Sequence, residues 1–411
     1  MFKDLRYIKI SISLILLFFV VSEVISSHKE TQLVFKPNSF ASNEAIKFKV
    51  ASNQNIKNYP LQIKNKLNNL VVYDTTITIK KTYDFFDTLD FFVHGFPTQN
   101  NEYILHPKHL SSGIYEANRQ FPLVIRGKGT ETITVVIPTI SNYFYTPIKE
   151  HSFFEQERPQ LSLNRAINTD EWTKGLIPVF KKLEQKYSVN YLTDLDLEQK
   201  ELFEQTSVVF LYGRLTFWSP LMLQNIMDYM EKGGKVLIAS SNVFYAKFCM
   251  NYRDNIAEIR GCENTIGNHL QSWKTVLTDT SNIYRKLHSD YGGKTISPYG
   301  YTILQPKHPL LNNTNLAKTI DFWAEYTVGT PLKQEVGDSI LPLYPNTSII
   351  AYTPCKKTDK QSRVGGIILH RNSQGGAVLS LGSSDWCLPD NQNKPHIQQI
   401  TLNAFDFLLS D

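Results

Sequence analysis

Residues 207–242 read SVVFLYGRLTFWSPLMLQNIMDYMEKGGKVLIASSN, and their rhythm decides the fold class the sequence predicts. The opening SVVFLY (207–212) is apolar on both faces, as a buried strand is. Ser219-Pro220 is a cap and first-turn pair, so a helix is predicted over 219–232, ended by Gly233-Gly234. KVLIA (235–239) then gives another strand. Strands apolar on both faces, alternating with helices, predict a mostly parallel sheet covered on both sides. Working outward, TITVVIP (132–138) and residues 188–193 read as strands. Residues 170–187 have helical spacing, with Leu176, Ile177, Phe180 and Leu183 on one face. Later strands are expected at 348–352, 365–370 and 377–381, with a final helix near 397–409. The prediction is a flavodoxin-like α/β domain over residues 128–411.

Upstream the rhythm is different. Residues 32–35, 45–50, 70–79, 88–93 and 120–125 are β-rich and separated by Asn, Pro, Gly and Ser clusters. SGIYEA (112–117) followed by FPLVI (121–125) reads as a hairpin. These signals predict a small β-sandwich of immunoglobulin-like type over residues 27–127. Residues 1–26 read as a signal peptide. Lys3, Arg6 and Lys9 precede the uncharged run ISISLILLFFVV (10–21), which is too short to span a bilayer, and Val24 and Ser26 suit a cleavage site. A secreted or periplasmic protein, with no stable membrane span after signal removal, is expected.

The chain has 411 residues, 42% hydrophobic and 20% charged, and a net charge of 43 − 38 = +5. That is a globular composition without the basic footprint of a nucleic-acid binder. Four cysteines in an exported chain favour disulfides. Cys249–Cys262 and Cys355–Cys387 are the preferred pairs, and buried free thiols are the alternative.

Ligands of open parallel sheets bind beyond the carboxyl ends of the strands. The loops there are 139–146 (TISNYFYT), 194–196, 213–218, 240–242 and 382–386. They supply a candidate pocket of Tyr145, Thr216, Phe217, Trp218, Asn242, Asp385 and Trp386, although Trp218 and Trp386 read equally well as core. Arg214, Asp194 and His370 are the catalytic candidates. Asp194 and Asp196 could bind a cation or cap a helix. Several signatures are absent. The 235–239 strand ends in Ala239-Ser240-Ser241-Asn242, which is no nucleophile elbow. There is no H-E-x-x-H, and His288 stands where the first glycine of a phosphate loop must be.

Taken in order, YSVNYLTDLDL (187–197), GRLTFWS (213–219) and YMEKGGKVLIASSN (229–242) resemble the C-terminal domain of the N,N-dimethylformamidase large (beta) subunit and its relatives. Residues 138–145, GGAVLSLGSSDW (375–386) and ITLNAF (400–405) extend the likeness over about residues 110–410. The resemblance implies a glutamine-amidotransferase-like α/β domain beside a β-sandwich. It also implies a hydrolase of C–N bonds other than peptide bonds, using a mononuclear iron held by tyrosines and a carboxylate. Tyr145 and Glu335 are the metal candidates on that view. Where the family pattern has G-H-x-E-Y-W, this chain has Arg214 for His, Thr216 for Glu and Phe217 for the tyrosine. Tyr145, Tyr191, Tyr212 and Tyr245 lie in or near the same loops and could compensate. Two functions are therefore expected in competition: an amide hydrolase with an altered or lost iron site, and a non-catalytic exported protein that binds a small molecule, glycan, peptide or protein partner.

Overall fold

The computed structural model describes residues 31–84, 101–106, 110–118, 121–146, 160–163, 167, 170–241, 243–244, 246–252, 256–258, 291–294, 299–324, 326–331, 345–354 and 363–410. The signal segment and the predicted strand 88–93 lie outside these.

The N-terminal strands are β1 (Thr31–Phe35), β2 (Phe40–Ala41), β3 (Ile46–Ser52), β4 (Ile56–Asn65), β5 (Val71–Ile79), β6 (Glu102–Leu105), β7 (Gly113–Ala117) and β8 (Phe121–Arg126). They form two sheets, ordered β1-β3-β6 and β2-β8-β7-β4-β5. The expected hairpin is the antiparallel β7–β8 pair. Leu33, Phe35, Phe48, Leu61 and Leu123 close the space between the sheets, and this core continues into the next part of the chain.

Chain order continues with β9 (Ile133–Ile137), β10 (Gln160–Ser162), β11 (Val189–Thr193), β12 (Val208–Tyr212), β13 (Phe217–Trp218), β14 (Lys235–Ala239), β15 (Ala246–Lys247) and β16 (Cys249–Asn251). It ends with β17 (Ile256–Glu258), β18 (Tyr291–Lys294), β19 (Tyr299–Ile303), β20 (Thr319–Trp323), β21 (Tyr326–Pro331), β22 (Thr347–Pro354), β23 (Arg363–Arg371) and β24 (Ala377–Ser380). An 11-stranded sheet runs β11-β9-β12-β14-β24-β23-β22-β19-β20, with β21 also on β23 and β18 on β21. Its first five strands are parallel. Every residue of β9, β11, β12 and β24 is buried, which explains why they are mostly apolar on both faces. Helix Pro220–Glu231 packs on one face; helices Glu171–Lys186 and Pro395–Ser410 pack on the other.

The predicted helix-flanked, flavodoxin-like α/β fold is corrected here. Among the described residues, helices cover both faces of the parallel half but not of the rest, and from β24 outward the sheet is antiparallel. The molecule is sheet-rich, with a large mixed sheet and few long helices among the described residues. The cause is connection length. Residues 372–376 alone join β23 to β24, in a turn where the Asn372 carboxamide accepts from Gln374 N and Gly376 N. A parallel crossover needs about a dozen residues or more.

Cys387 is a buried free thiol, 3.6 Å from the Ala239 carbonyl oxygen, which overturns the Cys355–Cys387 pairing. Cys262 and Cys355 lie outside the described residues, and the Cys249–Cys262 pair with them. Burial pushes the Cys387 thiol well above its ordinary pKa. Iodoacetamide is therefore expected to spare Cys387 in the folded protein and to label it after unfolding in guanidinium, as peptide mass spectrometry would show. Among the described residues no helix is long and apolar enough to cross a membrane.

Candidate functional site

The strand order β11-β9-β12 places β11 on one side of β9 and β12 on the other. The loops after β9 and β12 leave the sheet side by side at this reversal, where such sheets bind ligands. The chain turns from β9 through Pro138 into helix Thr139–Tyr145. No side chain of its own caps this helix; Asp194, at the end of β11, does so instead. Its carboxylate accepts from Thr139 N (3.1 Å), Thr139 Oγ1 (2.6 Å), Ile140 N (3.0 Å) and Leu195 N (3.1 Å). Asp194 is fully buried, and that burial pushes its pKa up from 3.8 to about 6 in spite of the donors around it. Asp196 is equally buried. It accepts from Thr193 N at 2.8 Å and from Ser39 N at 3.0 Å, tying the turn to the N-terminal sheets. Both acids hold these loops in place, and the Asp194 carboxylate is engaged by the donors of the loop after β9.

The loop after β12 begins at Gly213, whose φ of +68° suits glycine and whose N–H reaches the Ala239 carbonyl. A side chain there would press on the Trp172 Cβ at 3.2 Å. The next residue, Arg214, lays its guanidinium over two rings, 4.4 Å from the Tyr145 centroid and 4.7 Å from that of Trp172. Arg214 is exposed, and its N–H groups have no hydrogen-bond or ion-pair partner among the described residues. Trp172 is placed by the helix that Asp170 caps through Thr173 N at 2.6 Å. Asp170 also accepts from Asn142 Nδ2 at 2.8 Å, locking this helix to the loop after β9. Its pKa is raised by burial. Thr216 N donates to Ser141 Oγ at 3.0 Å, and the Thr216 and Tyr145 hydroxyls lie 3.4 Å apart.

The predicted pocket is therefore assembled in part. Tyr145, Arg214 and Thr216 come together. Phe217 is at their back, buried and stacked on Phe144 at 3.9 Å between centroids. Trp218 and Trp386 are core: their indole N–H groups donate to Leu215 O (2.6 Å) and Thr401 Oγ1 (2.9 Å). Asp385, half-buried, sits in the turn after β24, where its N–H donates to Ser383 Oγ. Ser241 and Ser384 share a buried 2.8 Å hydrogen bond at the ends of β14 and β24. Asn242, Tyr245 and Glu335 lie outside the described residues.

His370 is at the wrong end of the sheet. It pairs with Val378, which pairs with Val236 at the start of β14, so it faces away from the Arg214 loop. There it borders a groove of about 550 Å³ with Met227, Met230 and Arg371. Burial lowers its pKa, and its Nδ1 is 3.2 Å from Thr347 Oγ1. The residue that sequence reasoning missed is Trp172. Its position just after the Asp170 cap was the available signal, because a helix start faces the strand ends.

An iron centre tests poorly against these residues. The Phe217 ring has no donor atom. Tyr191 donates to Glu184 at 3.1 Å and Tyr212 shares a 2.7 Å hydrogen bond with Thr173, both deep in the core. Burial raises both phenols well above their ordinary range. Tyr145 carries the Arg214 cation on its ring, which opposes a second cation close by. Among the described residues no three His, Cys, Asp or Glu side chains cluster as metal ligands. The described residues around Tyr145 do not fit the iron site.

The fold and site define a mixed-sheet protein with a loop site at its switch point. The family model described as "N,N-dimethylformamidase beta subunit-like, C-terminal" matches residues 104–389, and the chain belongs to that family. No curated protein matches the chain. Among solved structures it is similar to the mmIFT52 N-terminal domain, with 12% identity, a TM-score of 0.33, and coverage of 57% of this chain and 90% of that one. A β-galactosidase from Rahnella sp. R3 gives 9% identity and 0.34, covering 68% of this chain and 31% of its own. One from Halorubrum lacusprofundi gives 11% and 0.31, covering 64% and 29%. The chain thus spans less than a third of those β-galactosidases, and likenesses this remote carry no functional argument.

Proposed function

We propose that this chain is an exported member of the family that binds a ligand at its strand-end loops and does not run iron-dependent amide hydrolysis. The observation that carries this reading is the Tyr145–Arg214–Trp172 stack. It puts a cation where the family pattern has a histidine, beside Phe217 in place of a ligating tyrosine. The competing reading is a hydrolase of C–N bonds other than peptide bonds, and family membership favours it. In physical terms, such chemistry needs a Lewis acid or a positioned acid–base pair to activate water. Asp194, the nearest described carboxylate candidate, is occupied by backbone donors.

Amine or ammonia release from formamides, acyl amides and ureas, measured on the purified mature chain with and without added iron, separates the two. No turnover above that of an Arg214→Ala, Tyr145→Phe double variant is expected. Turnover that both substitutions abolish would sink the binding reading. Export has its own check: expressed with its natural N-terminus, the protein is expected outside the cytoplasm and to begin near residue 27.

A further inference from the structure

Building on the ligand-binding reading, we infer that Arg214 receives a carboxylate of the bound ligand. The guanidinium carbon lies 4.4 and 4.7 Å from the Tyr145 and Trp172 ring centroids, and the edge of the group, with its five N–H donors, makes no hydrogen bond or ion pair to a described residue. That edge is the one that pairs in a fork with a planar carboxylate. The two rings also hold the plane in place before any ligand arrives, so less freedom is lost on binding. The charge count favours a monoanion. Arg214 is the cation of residues 213–218, and the nearby buried acids Asp170 and Asp194 are already engaged by hydrogen-bond donors from Thr173, Asn142, Thr139 and Ile140. A phosphate dianion would leave half its charge without a partner. The neighbouring Tyr145 and Trp172 rings suit a ligand with an apolar body behind its carboxylate. The place is right as well, since the stack lies at the reversal of strand order.

A purely structural stack is the rival explanation, and it makes the opposite prediction. Isothermal titration calorimetry of the full mature chain with benzoate, phenylacetate, benzamide and inorganic phosphate decides between them. The carboxylates are expected to bind at least about tenfold more tightly than neutral benzamide. Arg214→Ala should remove that preference. Arg214→Lys, which keeps the charge but not the fork, should retain only part of it. Circular dichroism melts of both variants report whether the fold is intact. Lys232→Ala, at the other end of the sheet, is the control expected to bind as the parent does. Carboxylates binding no better than benzamide, or binding unchanged in Arg214→Ala, would overturn the inference. Phosphate binding more tightly than either carboxylate would overturn the choice of a monoanion. The hydrolysis assay above is independent: turnover with an Arg214-dependent carboxylate preference would retire the binding reading and leave this one standing.

Discussion

Gly175→Ala is expected to destabilise the protein by about 3 kcal/mol, although alanine is the better helix former. Gly175 is buried inside helix Glu171–Lys186, where a glycine costs about 1 kcal/mol against alanine in isolation. Its use is close approach. A methyl there would overlap the Cys387 carbonyl oxygen and lie 2.8 Å from both Leu388 C and Pro389 N. All three are backbone atoms of the turn after β24, which carries Asp385 and Trp386. They cannot swing aside as a side chain would, so either the helix or the turn must move. A thermal melt would show the loss as a drop of several degrees. Gly375→Ala is the contrast: its φ is +86° but nothing lies within 4 Å of the added methyl. It should cost only the conformational penalty of roughly 1 kcal/mol. Equal stability for Gly175→Ala and the parent would mean that helix and turn are not in contact as described.

Asp194→Ala should cost roughly 2–4 kcal/mol at neutral pH, because it strips the acceptor from the Thr139, Ile140 and Leu195 N–H groups in a dry site. Asp194→Asn separates the hydrogen bonds from the charge. Since burial raises the folded pKa from 3.8 to about 6, the folded state holds this proton more tightly than the unfolded chain does. The group's stabilising share is therefore complete below about 3.8 and is lost as pH rises through about 6. The difference in melting temperature between parent and Asp194→Asn should accordingly change between pH 4 and pH 7, with the parent relatively better in acid. A constant difference across that range would show that Asp194 does not titrate there.

How far these features could be read in advance depended on the kind of signal. Strands β9, β11, β12 and β14 and the helices at Glu171–Lys186 and Pro220–Glu231 were legible, because burial on both faces and capping by Asp170 and Ser219 leave marks in single residues. Strand direction leaves no such mark. β22 and β23 carry the same apolar runs as β14 and β24, and only the shortness of residues 355–362 and 372–376 shows that the chain doubles back. That oversight also displaced His370 to the wrong end of the sheet. β4 was missed because IKNYPLQIKN, with Lys57, Asn58 and Pro60, reads as a loop until its pairing with β5 and β7 is seen. In the site, the altered 213–218 loop was visible from the resemblance. The stack on Arg214 was not, since Trp172 is far from it in sequence and is brought there by a helix cap.

In the proposed function the strand-end loops bind through Arg214 and hold no iron. Iron content of the purified mature chain, by plasma mass spectrometry after exposure to excess ferrous and ferric salts and desalting, tests it most directly. Well below one iron per chain is expected, unchanged in Tyr145→Phe. One tightly held iron per chain, lost in Tyr145→Phe or Glu335→Gln, would contradict it.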